Sequence, residues 1–152
     1  MIEKVTREEK EQELLQKAKI LFIDGEINTV RDIAFLLERR FFSAGILSAV
    51  IDSDVMLQGL CIDCKDNKDE VLRRSIEVAK LFLHSGIIAI CFGSYDSINT
   101  LNNHRNQSDF VLITTNKSNN AIENVIEISF DKSTLPEVVN ALYKKLAASI
   151  SQ

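Results

Sequence analysis

The stretch KILFIDGEINTVRDIAFLLERRFFSAG, residues 19–45, decides the fold. It begins with KILFID, a continuous apolar run of the kind found in strands that are covered on both faces. Ile33, Leu37 and Phe41 then recur at helical spacing, and Gly45 is the residue expected to end the helix. The stretch therefore predicts a buried strand, a short turn and an amphipathic helix.

The same alternation continues along the rest of the chain. Four further apolar runs are predicted as strands: residues 46–52, 87–92, 109–115 and 124–130. Helical periodicity lies between the second and third strands and again after the fifth. Strands and helices in this order predict an α/β fold, a three-layer αβα sandwich around a parallel five-stranded sheet with right-handed crossovers.

Two helix starts carry the sequence signature of a capping box. Thr6 with Glu9 begins a charged helix that is expected to reach about Lys17, and Thr134 with Glu137 begins the last helix. Because the first helix has few apolar residues, it is expected on the surface or against a second subunit. We assign residues 1–18 to an N-terminal helical extension and residues 19–152 to a single α/β domain.

Composition narrows the classes of function. The 152 residues are 45% hydrophobic and 26% charged, enough for one domain with a sizeable core. A net charge of −4 and a pI near 5.2 argue against a nucleic-acid partner, since such a partner needs a basic surface. No apolar run is long enough for a membrane span, and the charged N-terminus has no signal-peptide pattern. These features predict a cytoplasmic protein without a membrane partner.

Cys61 and Cys64 form a C-x-x-C motif in a polar loop. A structural zinc site needs four ligands, and Cys91, His84 and His104 are the other candidates. Cys91 lies in an apolar run and is expected in the core. We interpret the pair as reduced loop cysteines, with redox or metal use as the alternative.

Ligand sites of parallel sheets lie beyond the carboxyl ends of the strands. The segments predicted there are residues 24–32, 52–60, 93–97 and 116–120. The first segment carries Asp24, Glu26 and Asp32 against a single cation, Arg31. One like-charge contact at about 4 Å costs roughly 4 kcal/mol at an effective dielectric of about 20. This segment is therefore predicted to repel a triphosphate.

Five segments of the chain, VTREEKEQELLQKAKILF, LLERRFFSAG, AVIDSDVMLQGL, LRRSIEVAKLFLHSGIIAI and FVLITT, resemble in order and spacing the adenylylsulfate kinases of sulfate assimilation. The resemblance covers nearly the whole chain, and RRSIEVAKLFLHSGIIAI is its most specific part. It implies a P-loop kinase-like topology. It also implies the family's reaction, in which the γ-phosphate of ATP is transferred to adenylylsulfate with the help of magnesium.

The family's phosphate loop is changed in this chain. Its positions fall on residues 24–32, where the lysine position holds Val30 and the two hydroxyl positions hold Arg31 and Asp32. The loop chemistry needs glycine amides around the phosphates, a lysine on their oxygens and a hydroxyl on magnesium. Gly25 is the one glycine left in this window, at a position that does not match. Thr29 is the one hydroxyl left there.

Two further parts of the family's site are also changed. In the segment DSDVML, Asp52 and Asp54 remain, but Val55 and Leu57 replace the family's asparagine and arginine. The segment NKSNNAIE, residues 116–123, stands where the family carries a long basic lid. Without such a lid, neither water exclusion nor a cationic clamp is expected.

The resemblance therefore points to a non-catalytic adenylylsulfate-kinase-like domain with an assembly or regulatory role. It is similar to the kinase-like regulatory domain of fungal sulfate adenylyltransferase, and it implies a homodimer with that enzyme as a partner or fusion. No catalytic residue and no metal ligand is assigned, and ATP and magnesium are not expected to be used. The alternative is a diverged nucleotide or sulfonucleotide kinase or transferase with weak ligand binding through Asp52, Asp54 and Arg31. Gly25 and Thr29 complete the candidate vestigial site.

Overall fold

The computed structural model describes residues 1–94, 108–114, 125–129 and 134–151. Its helices are α1 (Arg7–Leu14), α2 (Ile27–Ser43), α3 (Ser53–Gln58), α4 (Lys68–His84) and α5 (Leu135–Ile150). Its strands are β1 (Ile20–Asp24), β2 (Ser48–Val50), β3 (Ile88–Gly93), β4 (Phe110–Thr114) and β5 (Val125–Glu127). The residues predicted at 95–107 and 115–124, including the short NKSNNAIE loop, lie outside the described ranges.

The five strands form one parallel sheet in the order β2-β3-β1-β4-β5. β1 is the central strand, and its last residue, Asp24, is in register with Gly93 on one side and Thr114 on the other. The carboxyl ends of three strands therefore meet at one edge. This arrangement confirms the predicted α/β class and the parallel five-stranded sheet.

Alternate residues of the strands supply two separate cores. Leu21 and Ile23 of β1 belong to a cluster with α2 and α5, whereas Ile20 and Phe22 belong to a cluster with α3 and α4. Both faces are apolar because helices cover both, which is why β1 reads as a continuous hydrophobic run. The molecule consequently has the predicted three layers.

The ends of the two long inner helices agree with the sequence. Gly45 and Gly86 follow α2 and α4 with φ of +78° and +80°, a conformation that glycine adopts at little cost. Thr6 and Glu9 form the predicted capping box at the start of α1.

Other boundaries differ from prediction. α1 ends at Leu14, before the predicted Lys17, because Leu15 turns into the left-handed region with φ of +57°. The second predicted capping box is wrong, because the Thr134 side chain makes no capping hydrogen bond. β2 and β5 are three residues each, shorter than the runs that predicted them. The loop after β2 also contains the short helix α3.

The N-terminal segment is attached to the amino end of the sheet. Arg7 pairs with Asp109 at 2.9 Å, just ahead of β4. The buried Gln16 side chain donates to the carbonyls of Leu47 and Gly86 at 2.9 and 2.8 Å, and accepts from the Leu47 N–H at 2.9 Å. These bonds join the entrances to β2 and β3 to the end of the extension.

Among the helices in the described ranges, none has the length and apolar character needed to cross a membrane.

Candidate functional site

The turn between β1 and α2 lies at the carboxyl edge of the sheet and contains only Gly25 and Glu26. The Gly25 N–H donates to the Gly93 carbonyl at 3.1 Å, which extends the contact between β1 and β3. Glu26 is the N-cap residue of α2. Its carboxylate accepts from the Asn28 N–H and the Thr29 N–H, each at 3.0 Å, and from Thr29 Oγ1 at 2.9 Å.

This arrangement places a negative charge on the first N–H groups of α2. The N-terminus of a helix attracts anions because its N–H groups lack partners within the helix and its dipole is positive there. The Asn28 and Thr29 N–H groups lower the pKa of Glu26 below its ordinary value, with further contributions from the Thr29 hydroxyl and Arg31. Glu26 is thus a carboxylate near neutral pH, and it takes the hydrogen bonds that an external anion would otherwise accept.

Val30 lies directly beneath this turn. Its side chain is 1% exposed and belongs to the core between the sheet and α2. A Cβ atom added to Gly25 would lie 2.8 Å from Val30 Cγ1, so the turn and the valine are in close contact. The position that the resemblance assigns to a phosphate-binding lysine is thus an apolar position on the core side of α2.

Arg31 is held by neighbouring groups. Its Nη2 pairs with Asp54 Oδ2 at 2.8 Å, and its Nη1 donates to Asn28 Oδ1 at 3.2 Å. The guanidinium carbon lies 5.7 Å from the centre of the Phe92 ring, within range of a cation–π contact. The pair links the first turns of α2 and α3 across the edge of the sheet.

Asp52 and Asp54 have different roles in α3. Asp52 is its N-cap, and Oδ1 accepts from the Asp54 N–H at 2.9 Å. Asp54 directs its carboxylate to Arg31, and its side chain remains 60% exposed. Asp52 thus caps the helix, and Asp54 forms the ion pair.

Asp24 was predicted both as the end of the strand KILFID and as the start of the turn segment 24–32. It is the last residue of β1 and is 4% exposed. Thr114 Oγ1 donates to Asp24 Oδ2 at 3.0 Å across the strands. Sequence reasoning missed Thr114 at this site, although its position at the end of a predicted strand was a usable signal.

The structure thus brings the five predicted site residues to one edge of the sheet. Gly25, Thr29 and Arg31 lie on the β1–α2 turn and the start of α2, and Asp54 joins them through its ion pair. Asp52 adjoins them as the cap of α3. In the described ranges no group of three or more His, Cys, Asp or Glu side chains is arranged to hold a metal ion.

The C-x-x-C motif lies in the loop between α3 and α4. Cys61 is buried, Cys64 is half-buried, and both are free thiols. Cys91 is buried in β3, as expected, and burial raises the pKa of its thiol to about 12.

Comparison with known proteins places these features in context. A family model described as adenylylsulphate kinase matches residues 17–146. The adenylyl-sulfate kinase of Buchnera aphidicola is 30% identical over 119 residues, covering 76% of this chain and 54% of that protein. The chain spans about half the length of the curated relatives it matches.

Two solved structures with the same fold are of APS kinases. An APS kinase of Mycobacterium tuberculosis superimposes with a TM-score of 0.67 and 19% identity, covering 86% of this chain and 99% of that one. A hexameric APS kinase from Thiobacillus denitrificans gives a TM-score of 0.66 and 20% identity, covering 88% of this chain and 29% of that one. At these identities the likeness establishes the fold.

Proposed function

Because the chain belongs to the adenylylsulphate kinase family, we propose that it is a non-catalytic member whose kinase-like domain serves assembly or regulation in sulfate assimilation. Its proposed partner is sulfate adenylyltransferase, and the proposed assembly includes a homodimer. The observation that carries the proposal is the Glu26 carboxylate bound to the N–H groups at the start of α2.

Glu26 opposes phosphate binding in two ways. It occupies the Asn28 and Thr29 N–H groups, so a phosphate would have to displace an anion that is covalently attached to the helix. It also adds a negative charge where the incoming triphosphate is itself negative. Removal of a single preorganised donor typically lowers an enzymatic rate by roughly 10²- to 10³-fold. Two backbone donors are engaged at this turn.

The residues at this edge also do not fit ATP with magnesium, the group that the family resemblance implies. Val30 is apolar and buried, so it supplies no charge to the β and γ oxygens. Arg31 is a cation at this edge, and its charge is already opposed by Asp54. Together these contacts favour a domain that keeps the fold without the phosphotransfer chemistry.

Calorimetric titration of the pure protein tests this proposal. Adenylylsulfate, its 3′-phosphorylated product, ATP and ADP, each with magnesium, are titrated separately, and an adenylylsulfate kinase with an intact phosphate loop serves as the positive control. We expect no heat of binding from any of the four. Micromolar binding of either sulfonucleotide would overturn the proposal and would indicate a sensor of pathway intermediates.

A diverged kinase or transferase is the second candidate function, and the pair of Arg31 with Asp54 favours it. Arg31 and Asp54 both lie at the carboxyl edge of the sheet and meet through one contact, Arg31 Nη2 to Asp54 Oδ2. A ligand anion could exchange with the Asp54 carboxylate there, since arginine forms charge-assisted hydrogen bonds to phosphate oxygens as it does to carboxylate oxygens. Arg31→Ala would then abolish any binding seen by calorimetry, whereas Arg39→Ala, an exposed arginine later in α2, would leave it unchanged.

A further inference from the structure

The loop between α3 and α4 contains two neighbouring thiols, those of Cys61 and Cys64. Cys61 is fully buried in the core that α3 and α4 form with the sheet, and Cys64 packs against that same core while remaining half-buried. One thiol is therefore enclosed, and its neighbour is reachable from solvent.

The backbone of this loop sets the spacing of the pair. The Cys64 N–H donates to the Cys61 carbonyl at 3.1 Å, which closes a four-residue turn. In such a turn the first and last Cα atoms lie within about 7 Å, and disulfides usually join Cα atoms about 4.4 to 6.8 Å apart. Hydrogen bonds from the Cys61 N–H to the Met56 carbonyl at 2.7 Å and from the Asn67 N–H to the Cys64 carbonyl at 2.9 Å fix both ends of the turn. The Cα spacing of this turn is therefore compatible with a disulfide between Cys61 and Cys64.

A cation stands beside the turn. Arg74 of α4 donates to the Leu60 carbonyl at 2.8 Å and forms a bidentate pair with Asp63, the residue that precedes Cys64. Burial raises the pKa of the Cys61 thiol, and its interaction with Cys64 raises it further, while Arg74 acts in the opposite direction. Arg74 is also paired with Glu70, so its charge is balanced by two carboxylates. Exposure distinguishes the two thiols: Cys64 is half-buried and Cys61 is buried, so Cys64 is the thiol that attacks first.

We propose that Cys61 and Cys64 form a reversible dithiol–disulfide couple, oxidised by small disulfides such as oxidised glutathione. The Cys64 thiolate attacks one sulfur of the small disulfide, whose S–S bond breaks and releases one thiolate. Cys61 then loses its proton and attacks Cys64 Sγ, which forms the Cys61–Cys64 bond and releases the second small thiol. Two electrons pass from the protein dithiol to the small disulfide, which is reduced to two thiols.

The inference is independent of the kinase-like site and is tested by redox titration of the whole chain. The protein is equilibrated at several ratios of reduced to oxidised glutathione, the free thiols are alkylated, and peptides are mapped by mass spectrometry. We expect a peptide containing the Cys61–Cys64 bond to increase with the oxidised fraction and to disappear on return to reducing buffer. Cys91 should be alkylated only after denaturation, because it is enclosed in β3.

Two variants control the measurement. Cys64→Ser removes the reachable thiol and should abolish the bond, and Cys91→Ser should leave the titration unchanged. Cys61 is not substituted because it is part of the core, and circular dichroism checks that both variants are folded. Accumulation of a stable mixed disulfide of Cys64 with glutathione, or unmodified Cys64 in fully oxidised buffer, would overturn the proposal.

Discussion

At the scale of the residue, Glu26 shows how one side chain can take the place of a bound anion. Its carboxylate accepts from two backbone N–H groups and one hydroxyl at the start of α2. N-cap preferences favour Ser, Thr, Asp and Asn, so a glutamate cap is an uncommon choice. Here its longer side chain reaches the N–H groups across a turn of only two residues.

The charge of Glu26 should stabilise the fold above its pKa. Because the folded-state pKa is lowered from 4.5, the stabilisation is present above that unfolded value and is lost as the pH falls through the folded one. We expect Glu26→Gln to lower Tm near neutral pH, and the difference from wild type to shrink below pH 4.5. Thermal unfolding followed by circular dichroism across this range measures both. Glu13→Gln, at an exposed position in α1, is the matched control and should give a small, uniform difference.

The contact between Gly25 and Val30 should appear as coupling between two substitutions. Gly25→Ala brings its Cβ to 2.8 Å from Val30 Cγ1 and should destabilise the fold by about 1 to 3 kcal/mol, as overpacking does. Val30→Ala removes the methyl group that is struck, at a cavity cost of its own. The double variant should therefore lose less stability than the sum of the two single variants. Urea denaturation of all four proteins gives the coupling free energy, and strict additivity would contradict the contact.

At the scale of the element, α1 closes against the turn that follows α4. Gly86 approaches the backbone of α1 so closely that an added Cβ would lie 3.3 Å from the Glu11 nitrogen, from Lys10 C and from Leu14 Cδ1. Gly45 occupies the same position after α2 with nearly the same φ, and nothing lies within 4 Å of an added Cβ there. The two glycines therefore share one backbone requirement and differ in their surroundings.

Substitution of these two glycines isolates the α1 contact. Gly45→Ala should lower the free energy of unfolding by about 1 to 2 kcal/mol, because a residue with a Cβ is strained in the left-handed conformation. Gly86→Ala should lower the free energy of unfolding further, because the added Cβ would also push α1 away by a few tenths of an ångström. Equilibrium urea unfolding compares them, and equal losses of stability would show that α1 does not press on the turn.

The helices and strands also show which features of the fold a sequence pattern can predict. The apolar runs and the helical spacing of α2 and α4 predicted the strands and inner helices, because burial on both faces leaves a long, regular signal. The capping hydrogen bond predicted for Thr134 is not formed, since such a bond depends on the orientation of one side chain. Asp24 was counted both in the strand KILFID and in the turn segment 24–32, and its partner Thr114 lies ninety residues away, beyond any local pattern. The ion pair of Arg31 with Asp54 was likewise not predicted, although each residue was named as a candidate site residue.

At the scale of the whole molecule, the surface around α1 bears on assembly. Leu15 ends α1 in a left-handed conformation and leaves its side chain 76% exposed. An exposed leucine on an otherwise charged helix is a candidate contact across a two-fold axis, where the same patch meets itself.

The proposed homodimer makes this leucine testable. Sedimentation velocity of the wild-type protein should show a dimer, and Leu15→Glu should shift it to monomer because two carboxylates would face each other across the axis. Val55→Glu changes another exposed apolar residue, in α3 at the opposite edge of the sheet, and should leave the dimer intact. A monomeric wild type, or a Leu15→Glu variant that stays dimeric, would exclude this interface.

The strand order has a consequence for how the chain is made. β1 emerges early, yet both of its neighbours, β3 and β4, come later in the sequence. At a synthesis rate of about 5 to 20 residues per second, the ninety residues from Asp24 to Thr114 take roughly 5 to 20 s to follow. Until β3 has been made, β1 has two open edges, and one edge stays open until β4 follows. An apolar strand with open edges can pair with other chains. A slower translation rate would lengthen the time in which such pairing can occur.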